Sequence, residues 1–158
     1  MRVVVNNTVL SNLAQIRRPD FLQTLFGDEI VAPAQVLNEL AEGERLHRIP
    51  VCDWSSLKVV ALTHEEQTRA TRFNETVDAG EAACLALAQT HGLTFLTDDR
   101  DARRLAQFAH VSISGTVGIL QLLIDEGHLD LATADQLLAE MIRKGYRSPI
   151  KSLKQLEK

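Results

Sequence analysis

Asp78-Ala-Gly80-Glu81-Ala-Ala-Cys84-Leu-Ala-Leu-Ala-Gln-Thr-His-Gly92 runs directly into Leu93-Thr-Phe-Leu96-Thr-Asp98-Asp99-Arg100. The first part reads as a helix: Asp78 and Glu81 have the three-residue spacing of a capping box, strong helix formers follow, and Gly92 supplies a stop. The apolar run Leu93–Leu96 reads as a buried strand, and two aspartates follow it after a single threonine. A helix feeding a buried strand that ends in carboxylates is a unit of a parallel α/β sheet, in which ligands bind beyond the carboxyl ends of the strands.

The same alternation extends in both directions. Upstream, Arg2–Val5 is short and β-branched, and apolar residues at helical spacing (Val9, Leu10, Leu13, Ile16) follow over Thr8–Ile16. Asp20 is positioned to cap a short helix through Phe26. Glu29–Val31 predicts a second strand, and Pro33 opens a helix to about Ala41 with Val36, Leu37 and Leu40 inward. Leu57–Leu62 looks extended, and Thr63 with Glu66 opens another helix. Downstream, Arg100–Phe108 predicts a helix and Val111–Ile113 a strand. Gly115-Thr116 then starts a helix to Glu126, Thr133 and Gln136 start one ending at Gly145, and a last helix is expected over Pro149–Leu156. The expected fold is a single three-layer α/β/α domain over residues 1–158 with a mainly parallel central sheet.

Composition narrows the function. Aromatic residues are 4% of the chain, too few for a platform of stacked bases. Cys52 and Cys84 form no CxxC, which argues against a zinc knuckle or a redox pair and suits reduced thiols in the cytoplasm. The apolar run at the N-terminus is too short for a signal peptide, and no stretch is long enough for a membrane span. The five histidines are scattered, so zinc chemistry and a histidine-based triad have little support. The net charge is −4, yet Arg143, Lys144, Arg147, Lys151, Lys154 and Lys158 face only Glu157 in the last segment. That basic segment, 143–158, fits either a solvated helix or a contact with phosphate or an acidic partner.

The residues expected just after the strands are Asn6-Asn7-Thr8, Asp98-Asp99 and Gly115-Thr116. Adjacent aspartates repel, and one would take up a proton unless a cation stood between them. With Glu81 in the first turn of its helix and Glu39 on the helix after the second strand, the arrangement suits Mg²⁺ or Mn²⁺, which take oxygen ligands and activate water against phosphodiesters. Plainer roles compete: Asp78 and Glu81 as a capping box, Asn6, Thr8 and Thr116 as helix caps, Glu39 as a solvated residue, Arg103 as the partner of a nearby acid.

Five ordered blocks resemble the PIN-domain family, the nuclease fold of VapC-like toxins, and within it a prokaryotic PIN-like subfamily. They are Val-Val-Val-Asn6-Asn7-Thr8, Pro33-Ala-Gln-Val36-Leu-Asn-Glu39-Leu40, Asp78-Ala-Gly80-Glu81-Ala, Asp98-Asp99-Arg100-Asp101-Ala-Arg103 and Gly115-Thr116-Val-Gly118-Ile-Leu120. A later Gly145-Tyr146-Arg147 resembles the subfamily's C-terminal motif. The resemblance implies catalytic roles for Glu39, Glu81, Asp98 and Asp99, and Asp99 is the better match to the fourth acid. It implies metal ligation by Asn6, Glu81, Asp98 and Asp99, with Thr8, Asp78, Arg103 and Thr116 contacting substrate or supporting the site. It further implies RNA as substrate, a homodimer and a small cognate antitoxin. One position departs from the pattern: the first acid is Asn6, whose amide can coordinate a metal but adds no charge. A catalytically weakened RNA-binding or protein-interaction module is therefore the second expectation. A receiver-like phosphoacceptor is disfavoured because its acidic pair follows the first strand, and a nucleotide-binding fold because neither GxGxxG nor a P-loop is present.

Overall fold

The computed structural model describes residues 2–157; Met1 and Lys158, the latter counted in the basic segment, lie outside the described residues. Among these residues, five short strands form one sheet: β1 (Val3–Val5), β2 (Ile30–Pro33), β3 (Lys58–Val60), β4 (Thr94–Leu96) and β5 (Ile113–Ser114). All neighbours are parallel and the order is β3-β2-β1-β4-β5. Val3 to Val5 are almost fully buried, as expected of a central strand covered on both faces.

Among the described residues, eight α-helices connect and cover the sheet: α1 (Asn7–Gln15), α2 (Asp20–Phe26), α3 (Ala34–Arg45), α4 (His64–Phe73), α5 (Ala79–His91), α6 (Arg100–Phe108), α7 (Thr116–Asp125) and α8 (Leu131–Arg143). In α5 every residue from Gly80 to Ala88 is buried, and all but Gly80 and Glu81 are apolar, so this stretch of the helix lies inside the molecule, not on its surface. Both expected capping boxes are formed, by Thr63 with Glu66 and by Asp78 with Glu81. No described helix is long and apolar enough to cross a membrane.

The order of the strands positions the site. The chain winds from β1 outward to β2 and β3, then returns to the other side of β1 for β4 and β5. The direction reverses between β1 and β4, and a crevice opens beyond their carboxyl ends. Asn6 follows β1 there, and Thr97-Asp98-Asp99 follows β4.

Several boundaries differ from the sequence expectation. Asp20 does not cap α2; Arg18 takes both its oxygens at 2.9 and 3.0 Å, and Pro19 precedes the first turn. Pro33 ends β2 and precedes α3 as its cap residue, and α3 continues to Arg45. The last strand is Ile113–Ser114, set by its pairing with Phe95 and Leu96. Helix α8 begins two residues before Thr133 because the Asp130 carboxylate, at the cap position, accepts the Thr133 amide at 2.7 Å. No α-helix covers 149–156. Asp135 accepts the Leu153 amide at 2.7 Å and the Ser152 hydroxyl at 3.1 Å, pinning an irregular stretch that ends in a 3-10 turn at Leu153–Leu156.

Candidate active site

At the end of β1, Asn6 is buried and caps α1: its Oδ1 accepts the Asn7 amide at 2.8 Å, and its Nδ2 donates to Thr97 Oγ1 at 3.1 Å. Thr97 is fully buried at the end of β4. Its hydroxyl oxygen also accepts the Asp99 amide at 3.2 Å and lies 3.4 Å from Thr8 Oγ1. Thr8 Oγ1 accepts the Asp98 amide at 3.0 Å. One threonine hydroxyl thus ties the ends of β1 and β4 together and orients the loop that carries both aspartates. Thr97 was not singled out from sequence; its place between a buried strand and an acidic pair is the signal that marks it.

The two aspartates then diverge. Asp98 Oδ1 accepts the Thr116 amide at 2.8 Å and the Tyr146 hydroxyl at 3.3 Å. Its Oδ2 accepts Asn12 Nδ2 at 2.9 Å and the Thr116 hydroxyl. Asp98 therefore faces α1, α7 and the segment after α8, and the groups that donate hydrogen bonds to it are all neutral. Burial, then the charge of Asp98, pushes the Tyr146 phenol above its ordinary range. Arg103, one turn into α6, donates to the Thr97 carbonyl at 2.9 Å and braces the same loop. Asn12 and Tyr146 were not assigned to the site from sequence. Asn12 lies one helical turn after Thr8 on α1, and Tyr146 sits in the C-terminal block.

Asp99 occupies the cap position of α6 but makes no capping hydrogen bond with its side chain. It lies in a second group of carboxylates with Glu39, Asp78 and Glu81. The Asp78 carboxylate accepts the Glu81 amide at 2.8 Å, and Glu81 Oε2 accepts the Asp78 amide at 3.3 Å. Glu39 Oε1 accepts the Gly80 amide at 2.8 Å, bridging α3 to the first turn of α5. A β-carbon at position 80 would overlap the Glu39 carboxylate, so the close approach requires glycine. Glu81 is 7% exposed and its carboxyl is pushed up to about 8, by burial first and then by the charges of Asp78, Asp99 and Glu39. Burial, and next Asp78, also raises Glu39. Cys84, one turn deeper in α5, is wholly buried, and desolvation holds its thiol well above the usual range; it is core.

Among the described residues, no three His, Cys, Asp or Glu side chains stand gathered to hold a metal ion. Glu39 and Glu81 each turn an oxygen toward the backbone of α5 instead. The donor chemistry nevertheless suits a divalent cation: the group is oxygen-only, acidic and half-buried, and the repulsion that raises Glu81 is what a doubly charged ion neutralises.

A family model described as PIN domain matches residues 2–158. Among solved structures, the chain is similar to PAE2754 from Pyrobaculum aerophilum, at 17% identity and a TM-score of 0.57, over 79% of this chain and 98% of that one. That likeness supports the fold alone. No curated protein matches the chain.

Proposed function

Since the chain belongs to the PIN-domain family, whose members are generally nucleases, we propose that it is a metal-dependent endoribonuclease whose working carboxylates are Glu39, Glu81 and Asp99, with Asp78 beside them. One observation carries this reading: Glu81, buried and within reach of the charges of Asp78, Asp99 and Glu39 from α3, α5 and the β4–α6 turn, has its carboxyl pushed up to about 8 by burial first and by those charges next. A buried carboxyl with other acids near it is costly for folding and is characteristic of sites arranged for function.

Mg²⁺ or Mn²⁺ bound by Glu39, Glu81 and Asp99 would supply Lewis acidity toward a phosphodiester and a more acidic water. The protein's own contribution is placement. Thr97 and Thr8 fix the turn that presents Asp99, Gly80 lets Glu39 reach the start of α5, and the Asp78–Glu81 box holds Glu81 at the helix end. In this reading Asp98 and Thr116 position the β4 and β5 ends, Arg103 supports them, and Asn6 holds the loop through Thr97. Cleavage of labelled RNA with and without added Mn²⁺ tests the proposal.

The finer assignment, toxin of a toxin–antitoxin pair acting as a homodimer and silenced by a small antitoxin, rests on the family resemblance. An adjacent short reading frame whose product blocks cleavage would support it.

Asn6 favours a second reading. Its amide is neutral and engaged on both sides, by Asn7 and Thr97, which fits a binding module with weakened catalysis. Calorimetric titration with Mn²⁺ separates the two: no heat at millimolar metal favours the module.

A further inference from the structure

An open cleft of about 760 Å³, with Asp98 in its lining, lies between α6, the start of α7 and the segment after α8. Its walls carry four guanidinium side chains, Arg100, Arg103 and Arg104 from α6 and Arg147 from the C-terminal segment, against one carboxylate, Asp98. Among the described residues none of these four arginines forms an ion pair. Asp98, itself held by Thr116, Asn12 and Tyr146, is one negative charge against four positive ones. A protein with net charge −4 thus concentrates an excess of positive charge in one concavity.

The placement is built by the chain. Gly145, with φ +112°, turns the backbone after α8 so that Tyr146 reaches Asp98 and Arg147 lines the cleft. Asp98, Tyr146 and Arg147 also line a smaller cleft over α1, so the Tyr146–Asp98 contact stands between two concavities beside the Asp99 turn.

We propose that the arginine-lined cleft binds backbone phosphates of an RNA strand that flank the phosphodiester presented to Glu81 and Asp99; the assignment of the ligand as RNA rests on the nuclease reading above. Guanidinium groups match phosphate oxygens in paired hydrogen bonds. The lining offers no aromatic platform beyond Tyr146, so recognition goes through the backbone and not the bases. The strand would then cross from a positive groove to a negative one, with its scissile phosphate at the acidic end.

The test is fluorescence anisotropy of a short labelled oligoribonucleotide in EDTA, where binding is read without turnover. Arg104→Gln and Arg147→Gln are each expected to weaken binding roughly five-fold and to flatten the dependence of log K on log salt by about 0.7. Arg45→Gln and Arg69→Gln, on surfaces away from the cleft, leave binding unchanged. Unaltered melting temperatures show that the variants are folded. Equal weakening by both pairs, or wild-type binding by the cleft variants, overturns the proposal. So does equal displacement of RNA by polyglutamate, which would indicate an acidic peptide, or retention of inorganic phosphate without RNA, which would indicate a small-anion site. An inactive protein that binds RNA through these arginines would end the nuclease reading and leave the cleft standing; an active one indifferent to them would do the reverse.

Discussion

Asp98 and Asp99 are adjacent in the chain and belong to different structures: the Asp98 carboxylate accepts the Thr116 amide at 2.8 Å, while the Asp99 charge helps raise the carboxyl of Glu81. The turn after β4 sends one carboxylate into a network of neutral donors that ties α1, α7 and the C-terminal segment together. It sends the other into a crowd of acids. The same residue type thus does two kinds of work, set by its surroundings.

Substitution should separate the two. Asp98→Ala leaves Thr116, Asn12 and Tyr146 without their shared acceptor and is expected to cost about 2–4 kcal/mol of stability. Asp99→Asn removes a like charge from the Glu81 group and is expected to change stability by under about 1 kcal/mol while abolishing cleavage. Urea denaturation of both variants checks this; equal destabilisation would count against the division.

Glu81 predicts a pH dependence. Its carboxyl lies at about 8 in the folded protein against an ordinary 4.5, so the folded state holds a proton that the unfolded chain has released. The stability associated with that proton is complete below about pH 4.5 and is lost as pH rises through about 8. Glu81→Gln keeps a capping acceptor without the charge, so it should gain on wild type with rising pH, by on the order of 1–3 kcal/mol at about pH 9 without metal. Melting curves across that range read the difference; parallel curves would contradict it.

Gly80→Ala places a methyl group where the Glu39 carboxylate sits. Alanine favours the helix by up to ~1 kcal/mol, which offsets part of the lost hydrogen bond and leaves the fold intact. Cleavage should fall at least ~10-fold through displacement of Glu39, a loss of about 1.4 kcal/mol in transition-state stabilisation. Adding Glu39→Ala should then produce little further loss, and rate measurements on the double-mutant cycle reveal whether the two act as one unit.

Much of this architecture can be read from sequence because it rests on local rules. The capping boxes at Thr63–Glu66 and Asp78–Glu81 need only a three-residue spacing, and β-branched runs between helices imply a parallel sheet. The remainder depends on contacts between distant residues. Tyr146 reaches Asp98 across 48 positions, and Glu39 reaches Gly80 across 41. Spacing identifies an acidic pair but not which member faces which neighbour; here Thr97 and Thr8 decide that by holding the intervening amides. The C-terminal segment has helical spacing, yet Asp135 on α8 captures it in another shape.

Asn6→Asp examines the departure from the family pattern. Asp keeps the acceptor for the Asn7 amide but loses the Nδ2 donor to Thr97 and buries a charge, so metal-free stability should drop by about 1–3 kcal/mol. Mn²⁺ affinity should rise, since a charged oxygen joins the site. Calorimetry and metal-dependent melting together check both signs; unchanged Mn²⁺ affinity would mean that position 6 takes no part in binding metal.

The most direct test is RNA cleavage by purified protein with Mn²⁺, compared with the same protein in EDTA and with Glu81→Gln and Asp99→Asn. Metal-dependent cleavage by wild type, lost in EDTA and reduced at least ~100-fold in both folded variants, is the expected result. Cleavage that persists in EDTA, or that both variants retain at the wild-type rate, would contradict the assignment of these carboxylates as the catalytic centre.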